Sequence, residues 1–187
     1  MKKLILTTVT AALLAVSTKA QTTTWDNVLT NFVGATNWAI EPYMTYAPKA
    51  PGTKIGGGVL ALYGFSPYIS AGLGLDWLGQ LSLVSGNVTL QAPFHASTIM
   101  PAGLVSALHL TNVVLSPFVL GGIATAYSGS GNFNGGISTI EDVGMYVKFA
   151  HVLGGQLDTG LAYGQWTGLG PYDVKRYHAF FGIEWGF

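Results

Sequence analysis

Apolar residues occupy every second position over long stretches of the chain, and this alternation restricts the fold more than any other feature. In residues 67–84 the odd positions are nearly all apolar, whereas the even positions are mostly small or polar. The C-terminal segment 179–187 alternates in the same way. A period of two is the pattern of β-strands whose two faces meet different surroundings. The sequence therefore predicts an all-β protein with long strands.

Alternation and turn signals together predict eight strands. They cover residues 35–47, 54–65, 67–84, 103–115, 117–128, 138–150, 155–167 and 176–187. Ser66-Pro67 and Ser116-Pro117 each follow an apolar run, and proline suits a tight turn or a strand start, so we expect two equivalent turns there. Residues 87–94 could form a loop hairpin, or two more strands that would make ten.

Charged residues make up only 9% of the 187 residues, whereas a soluble domain has about 25%. Eight basic residues balance eight acidic ones, which argues against a nucleic-acid partner, and without cysteine there is no disulfide framework. No apolar run after residue 20 is long enough for a transmembrane helix. A membrane β-barrel resolves the conflict, because it meets lipid with alternate residues only.

The face chemistry favours a membrane barrel over a soluble one. A soluble barrel holds bulky apolar groups inside and carries charge outside, but the less apolar face here is Gly, Ala, Ser and a few charges. We therefore predict an antiparallel up-and-down transmembrane β-barrel. Its narrow lumen would be filled by Tyr68, Phe118, Leu120 and Phe180. Its outward aromatic girdles would include Trp38, Trp77, Tyr127 and Trp185.

The N-terminal residues have the layout of a secretory signal peptide. A basic start at Lys2 and Lys3 precedes an apolar stretch, and small residues end at Ala20, where we expect cleavage. Residues 21–34 would form a periplasmic leader. Within it, residues 24–33 have helical spacing, and a short helix or an unordered leader would both fit. The barrel would occupy residues 35–187.

The last strand resembles the terminal strand of outer-membrane proteins, because residues 179–187 alternate and end in phenylalanine. The Ser-Pro-aromatic strands are similar to those of small eight-stranded outer-membrane barrels of the OmpA and OmpX type. The resemblance implies a location in the Gram-negative outer membrane, and recognition of Phe181, Trp185 and Phe187 by the barrel assembly machinery. It leaves the role open, since this fold hosts adhesins, enzymes and other proteins.

Two groups of charged residues are candidate sites. Lys148, Asp158, Glu184 and Glu41 fall on the predicted lumen face, and buried charges must pair, so we expect a lumenal ion-pair cluster that plugs the barrel. A second group would lie at one extracellular rim, as ordinary loop charge or in contact with lipopolysaccharide phosphates. It comprises Lys49, Lys54, Lys175 and Arg176.

One motif in the sequence weakly suggests catalysis. His95-Ala96-Ser97 resembles the His-x-Ser motif of outer-membrane lipid A deacylases, but no carboxylate occurs between Ser97 and Glu141 to orient the histidine. The histidines have no metal-ligand spacing, and no phosphate or dinucleotide fingerprint is present. The sequence therefore predicts a monomeric, non-enzymatic barrel without cofactors, which has a structural or surface-interaction role. A lipid-modifying hydrolase and a small pore are the alternatives.

Overall fold

The fold is taken from a computed structural model that describes residues 37–50, 52–79, 81–128, 137–152, 155–168 and 173–186. The predicted signal peptide, the predicted leader helix and Phe187 lie outside the described residues.

Nine strands and two short helices make up the described chain. The strands are β1 (Asn37–Tyr46), β2 (Ile55–Ser66), β3 (Ile69–Leu78), β4 (Leu81–Gln91), β5 (Phe94–His95), β6 (Val114–Ser128), β7 (Ile137–Val152), β8 (Gly155–Thr167) and β9 (Val174–Gly186). The helices are a 3-10 turn (Ala96–Thr98) and α1 (Ala102–Ala107).

Eight of the strands close into an antiparallel up-and-down barrel. The order is β4-β3-β2-β1-β9-β8-β7-β6, and pairing of β4 with β6 completes the circuit. The two-residue strand β5 continues β4, because the pair Phe94–Leu115 keeps the register of the pair Gln91–Phe118. Pro93 lies at the interruption, since proline has no N–H to donate to the ladder. The predicted fold class and strand number are confirmed, and the ten-strand alternative is wrong.

The strand register fixes the tilt of the barrel. The stagger is found by going from each residue to its register partner on the next strand, starting at the first residue of β1. This path around the wall passes through Asn37, Gly64, Ser70, Thr89, Leu120, Asp142, Gly164 and Arg176. The β1–β9 register then sets Arg176 beside Ala47, ten residues beyond the starting point. A ten-residue stagger over eight strands gives a tilt of about 40° and an interior that side chains can fill.

The connections define two ends of the barrel. The terminus end holds the start of β1, the end of β9, the connections at 67–68 and 153–154, and a long connection at 96–113. The loop end holds the connections at 47–54, 79–80, 129–136 and 168–173. Each end has one connection that departs from the others at that end: the 79–80 turn is short, and the 96–113 connection is long.

Two predicted strands were wrong. Residues 67–84 form β3 and β4, separated by a turn at Gly79, whose φ of +62° is one that glycine adopts readily. Residues 103–115 form α1 and a loop before β6 begins at Val114. Residues 87–94, which were expected to form a loop hairpin or two extra strands, belong to β4 and β5. Ser116-Pro117 lies inside β6 and not at a turn.

The turn between β3 and β4 was missed for a geometric reason. A two-residue turn places Leu78 opposite Leu81, so both side chains point into the barrel. Odd-numbered residues therefore face outward in β3 and inward in β4, although the alternation in the sequence continues without a break.

Candidate functional site

The outer and inner faces of the barrel differ sharply in chemistry. Among strand residues whose side chains are described, only Glu141 and Lys175 are charged and face outward. They lie near the loop end, where Gln165 stands between them in the register and donates a hydrogen bond to Glu141 at 2.9 Å. The remaining outward residues are mainly exposed aliphatic and aromatic side chains, with Gly, Ala, Pro, Ser and Thr between them. Apolar outside and polar inside is the arrangement of a transmembrane barrel.

Outward aromatic residues lie at both ends of the apolar band. On β1, Trp38 and Tyr46 are exposed at opposite ends, and eight residues of tilted strand separate them by roughly 20 Å. The loop-end girdle also contains Trp77, Tyr127, Tyr163 and Tyr177, and the terminus-end girdle contains Tyr63, Phe65 and Phe149. Trp185 belongs to β9, but its side chain lies outside the described part. The height of the band suits a hydrocarbon layer.

An arginine network occupies the lumen towards the loop end. Arg176 donates from Nη1 to Asp76 Oδ1 and from Nη2 to Asp142 Oδ2, both at 2.8 Å. Tyr43 donates its hydroxyl to Asp76, and His178 Nε2 lies 3.4 Å from Asp142 Oδ1. All five residues are buried. We call them the arginine network, and its one guanidinium joins carboxylates from two different sides of the barrel.

The network corrects the prediction for Arg176. This residue was expected at the extracellular rim, but it is buried in the lumen with an exposure of 2%. Strand β9 begins at Val174, two residues earlier than predicted, so Arg176 shares the lumen face with His178 and Phe180. Extending the alternation back from Phe180 would have revealed this. The partners of Arg176 were visible only as isolated acids on glycine-rich strand faces.

Apolar side chains close the lumen between the arginine network and the loop end. At the loop end, Trp166 is fully buried, and the Arg176 guanidinium carbon lies 4.5 Å from its ring centroid. Leu78, Leu81, Leu83, Ala126 and Val174 are buried at the same end. The charges of the arginine network are therefore separated from the loop end by a packed apolar layer.

An aromatic layer fills the middle of the lumen. Phe118 stacks on Tyr146 with ring centroids 4.3 Å apart, and Phe180 packs against both rings and against Tyr43. The predicted fillers Phe118, Leu120 and Phe180 are buried there. Tyr68 is not, because it lies exposed in the turn between β2 and β3.

A second group of charges lies nearer the terminus end. Glu41, Lys148 and Asp158 are all buried on lumen-facing positions, and Lys148 and Asp158 are register partners across β7 and β8. Tyr146 donates its hydroxyl to Glu41 Oε2 at 2.8 Å. Glu184 pairs through its backbone with Ala39, but its side chain lies outside the described part. The four-residue ion-pair cluster stays a prediction, with three of its members in the lumen.

Three exposed lysines gather at one corner of the loop end. The Ala47 N–H donates to the Lys54 carbonyl at 2.8 Å, which closes the β1–β2 connection that also carries Lys49. Lys175 lies one strand away, because Tyr177 pairs with Tyr46 in the β9–β1 register. We call Lys49, Lys54 and Lys175 the rim lysines. The other two basic residues after residue 20 are lumenal, so all exposed positive charge beyond that point is concentrated here.

The His95 motif has no catalytic surroundings in its own segment. His95 is half-buried in β5, and Ser97 is exposed in the 3-10 turn. Residues 92–113 contain no Asp or Glu. Within the described ranges, no group of three or more His, Cys, Asp or Glu side chains is arranged to hold a metal ion. The described helices are all too short to cross a membrane.

Comparison with known proteins supplies no family. No family model matches the chain, and no curated protein matches it. One solved structure, described as de novo design of transmembrane β-barrels, is 12% identical, with a TM-score of 0.48. The match covers 80% of this chain and 95% of that one. Membership of the small outer-membrane barrel family therefore stays a prediction.

Proposed function

We propose that this protein is an integral β-barrel of the outer membrane, with a closed lumen and a non-enzymatic structural or surface-interaction role. One observation carries the proposal: charge lies inside the barrel and apolar surface outside. Leu73, Ile123 and Leu161 are exposed in the outward band, whereas Asp76, Asp142 and Arg176 are buried. The exposed apolar band would be unfavourable in water and is favourable in a bilayer, whereas the buried charges are paired inside the barrel in either surrounding.

The filled lumen supports a structural role over a pore. The apolar layer beneath the loop end, the arginine network and the aromatic layer follow one another along the axis. A conducting path would have to open the stacked Phe118–Tyr146 pair and both Arg176 ion pairs. Porins that conduct have wider barrels of sixteen or more strands.

The orientation follows from export. An outer-membrane barrel made with a signal peptide would direct its terminus end to the periplasm and its loop end to the outside. The rim lysines would then meet the lipopolysaccharide leaflet, where phosphate groups accept charge-assisted hydrogen bonds. Recognition of the C-terminal strand by the barrel assembly machinery belongs to the same proposal, and Phe181 supports it by facing outward.

The test uses the full chain expressed with its own N-terminal segment in a Gram-negative host. Expected results are recovery in the outer-membrane fraction, resistance to extraction by urea, and faster migration of unheated samples in semi-native electrophoresis. Planar bilayers containing the purified protein should show no stepwise conductance. Recovery as a soluble periplasmic protein would refute membrane insertion, and regular conductance steps would refute the closed lumen.

A further inference from the structure

The connection at residues 96–113 is the longest at the terminus end, and it is unusually apolar for a loop. Residues 92–113 contain no Asp, Glu, Lys or Arg. Three large apolar side chains of the connection are strongly exposed: Ile99 at 62%, Leu104 at 53% and Leu108 at 61%. A loop that meets only water carries polar residues at such positions, so this surface needs another explanation.

The connection is folded, with many of its backbone groups satisfied locally. The Ala96 N–H donates to the Val113 carbonyl at 2.9 Å and closes the segment at its base. Leu108 donates to Leu104 at 3.0 Å, and Leu110 donates to Val105 at 2.9 Å. Local satisfaction of backbone groups is the condition for placing irregular chain in or near lipid, where an unpaired peptide group is costly.

The connection joins the barrel wall next to outward-facing positions, and it does not line the cavity at this end of the lumen. It leaves the wall at the Phe94–Leu115 pair, which occupies outward positions beside the terminus-end girdle. A small cavity opens from the lumen at this end, lined by polar residues such as Gln91 and Lys148, and no residue of 96–113 lines it. The connection therefore begins and ends beside the lipid-facing band.

We infer that residues 96–113 lie in the membrane interface of the terminus-end leaflet, with Ile99, Leu104 and Leu108 dipping into the acyl region. This inference rests on the proposed function, since it requires the barrel to be in a bilayer. Because the segment has no charged residue, apolar burial alone would hold it there. Immersion should therefore be independent of anionic lipid and of salt.

The absence of cysteine from the chain allows a direct test. Leu104→Cys and Leu108→Cys variants of the whole protein are labelled with a nitroxide and refolded into phosphatidylcholine vesicles, with and without phosphatidylglycerol. Collision rates with oxygen, which partitions into lipid, and with a water-soluble nickel chelate are then measured. Leu73→Cys in the outward band is the lipid control, and Thr53→Cys in the exposed β1–β2 connection is the water control.

The inference predicts oxygen-to-nickel ratios at positions 104 and 108 close to that of position 73, several-fold above that of position 53, and equal in both vesicle types. Ratios equal to that of position 53 would overturn it. Low collision rates with both reagents would also overturn it, because a second copy or the leader would then cover the segment. A water-like ratio at position 73 itself would refute the proposed function, which separates the two failures.

Discussion

Replacing Arg176 by methionine removes the only positive charge of the arginine network and keeps a long side chain in its place. Two carboxylates, Asp76 and Asp142, then remain buried without the guanidinium that each contacts at 2.8 Å. The guanidinium also leaves the face of Trp166. Because the lumen is narrow and the loop end is sealed, relaxation into water is restricted.

Removing one partner of a buried ion pair costs about 3–5 kcal/mol, and two carboxylates are affected here, so Arg176→Met should destabilise the barrel by at least that amount. With a denaturant slope of about 2 kcal/mol per molar urea, the unfolding midpoint should fall by at least about 1.5–2.5 M. The neighbouring Lys175→Met is the matched control. Its side chain is exposed and outward, so the change should be within about 1 kcal/mol.

Urea unfolding of the refolded protein in vesicles measures both variants, followed by tryptophan fluorescence and by the heat-modifiable band. The triple variant Asp76→Asn, Asp142→Asn, Arg176→Met tests whether the unpaired carboxylates cause the loss of stability. Because it leaves no unpaired charge in the network, it should recover most of the lost stability. If Arg176→Met gives no folded band at all, recovery by the triple variant still tests the reasoning. A triple variant no more stable than the single one would refute the electrostatic explanation, as would a loss below about 1 kcal/mol for the single variant.

Three further predictions concern packing and charge. Gly122→Ala should destabilise the barrel by about 1–3 kcal/mol in the same unfolding assay, because an added Cβ would lie 2.6 Å from the Gly86 carbonyl oxygen. The control is Gly121→Ala on the outward face, where a Cβ meets open space, and it should be neutral or slightly stabilising. Equal effects would contradict the inward and outward assignment. Lys148→Met should lower the temperature at which the heat-modifiable band converts, and unchanged folding and stability would reject the lumenal ion-pair cluster. Replacing the rim lysines by serine should reduce co-purifying lipopolysaccharide several-fold at low salt, and an unchanged amount would reject the phosphate contact.

The alternation of apolar residues was sufficient to predict the barrel and its two chemically different faces. The strand number agreed because two errors cancelled: residues 67–84 form two strands instead of one, and residues 103–115 form a helix and a loop before β6. The same alternation hid the turn at Gly79, because a two-residue turn changes the face without changing the rhythm. It also failed between residues 96 and 113, where apolar residues occur without a period of two. A periodic signal locates strands, but it does not report which face an individual residue enters after a turn.

The lumenal sites were harder to predict, because they depend on the stagger of the strands. Asp142 and Arg176 lie two strands apart on one register row, on either side of Gly164. Asp76 reaches the same guanidinium only across the lumen of the closed barrel. Lys148 and Asp158 could be paired from sequence, since they belong to adjacent strands around one short turn. Local pairing is therefore readable from sequence, whereas contacts across the lumen require the closed barrel.

The central claim is that the barrel is apolar outside because lipid surrounds it. Two single-tryptophan variants test this most directly: one retains Trp77, which is 49% exposed on the outward face, and the other retains Trp166, which is 1% exposed in the lumen. Each is refolded into vesicles of lipids brominated on their acyl chains. Strong quenching of Trp77 with little quenching of Trp166 is the predicted result. Equal fluorescence of Trp77 in brominated and ordinary lipid would contradict the account.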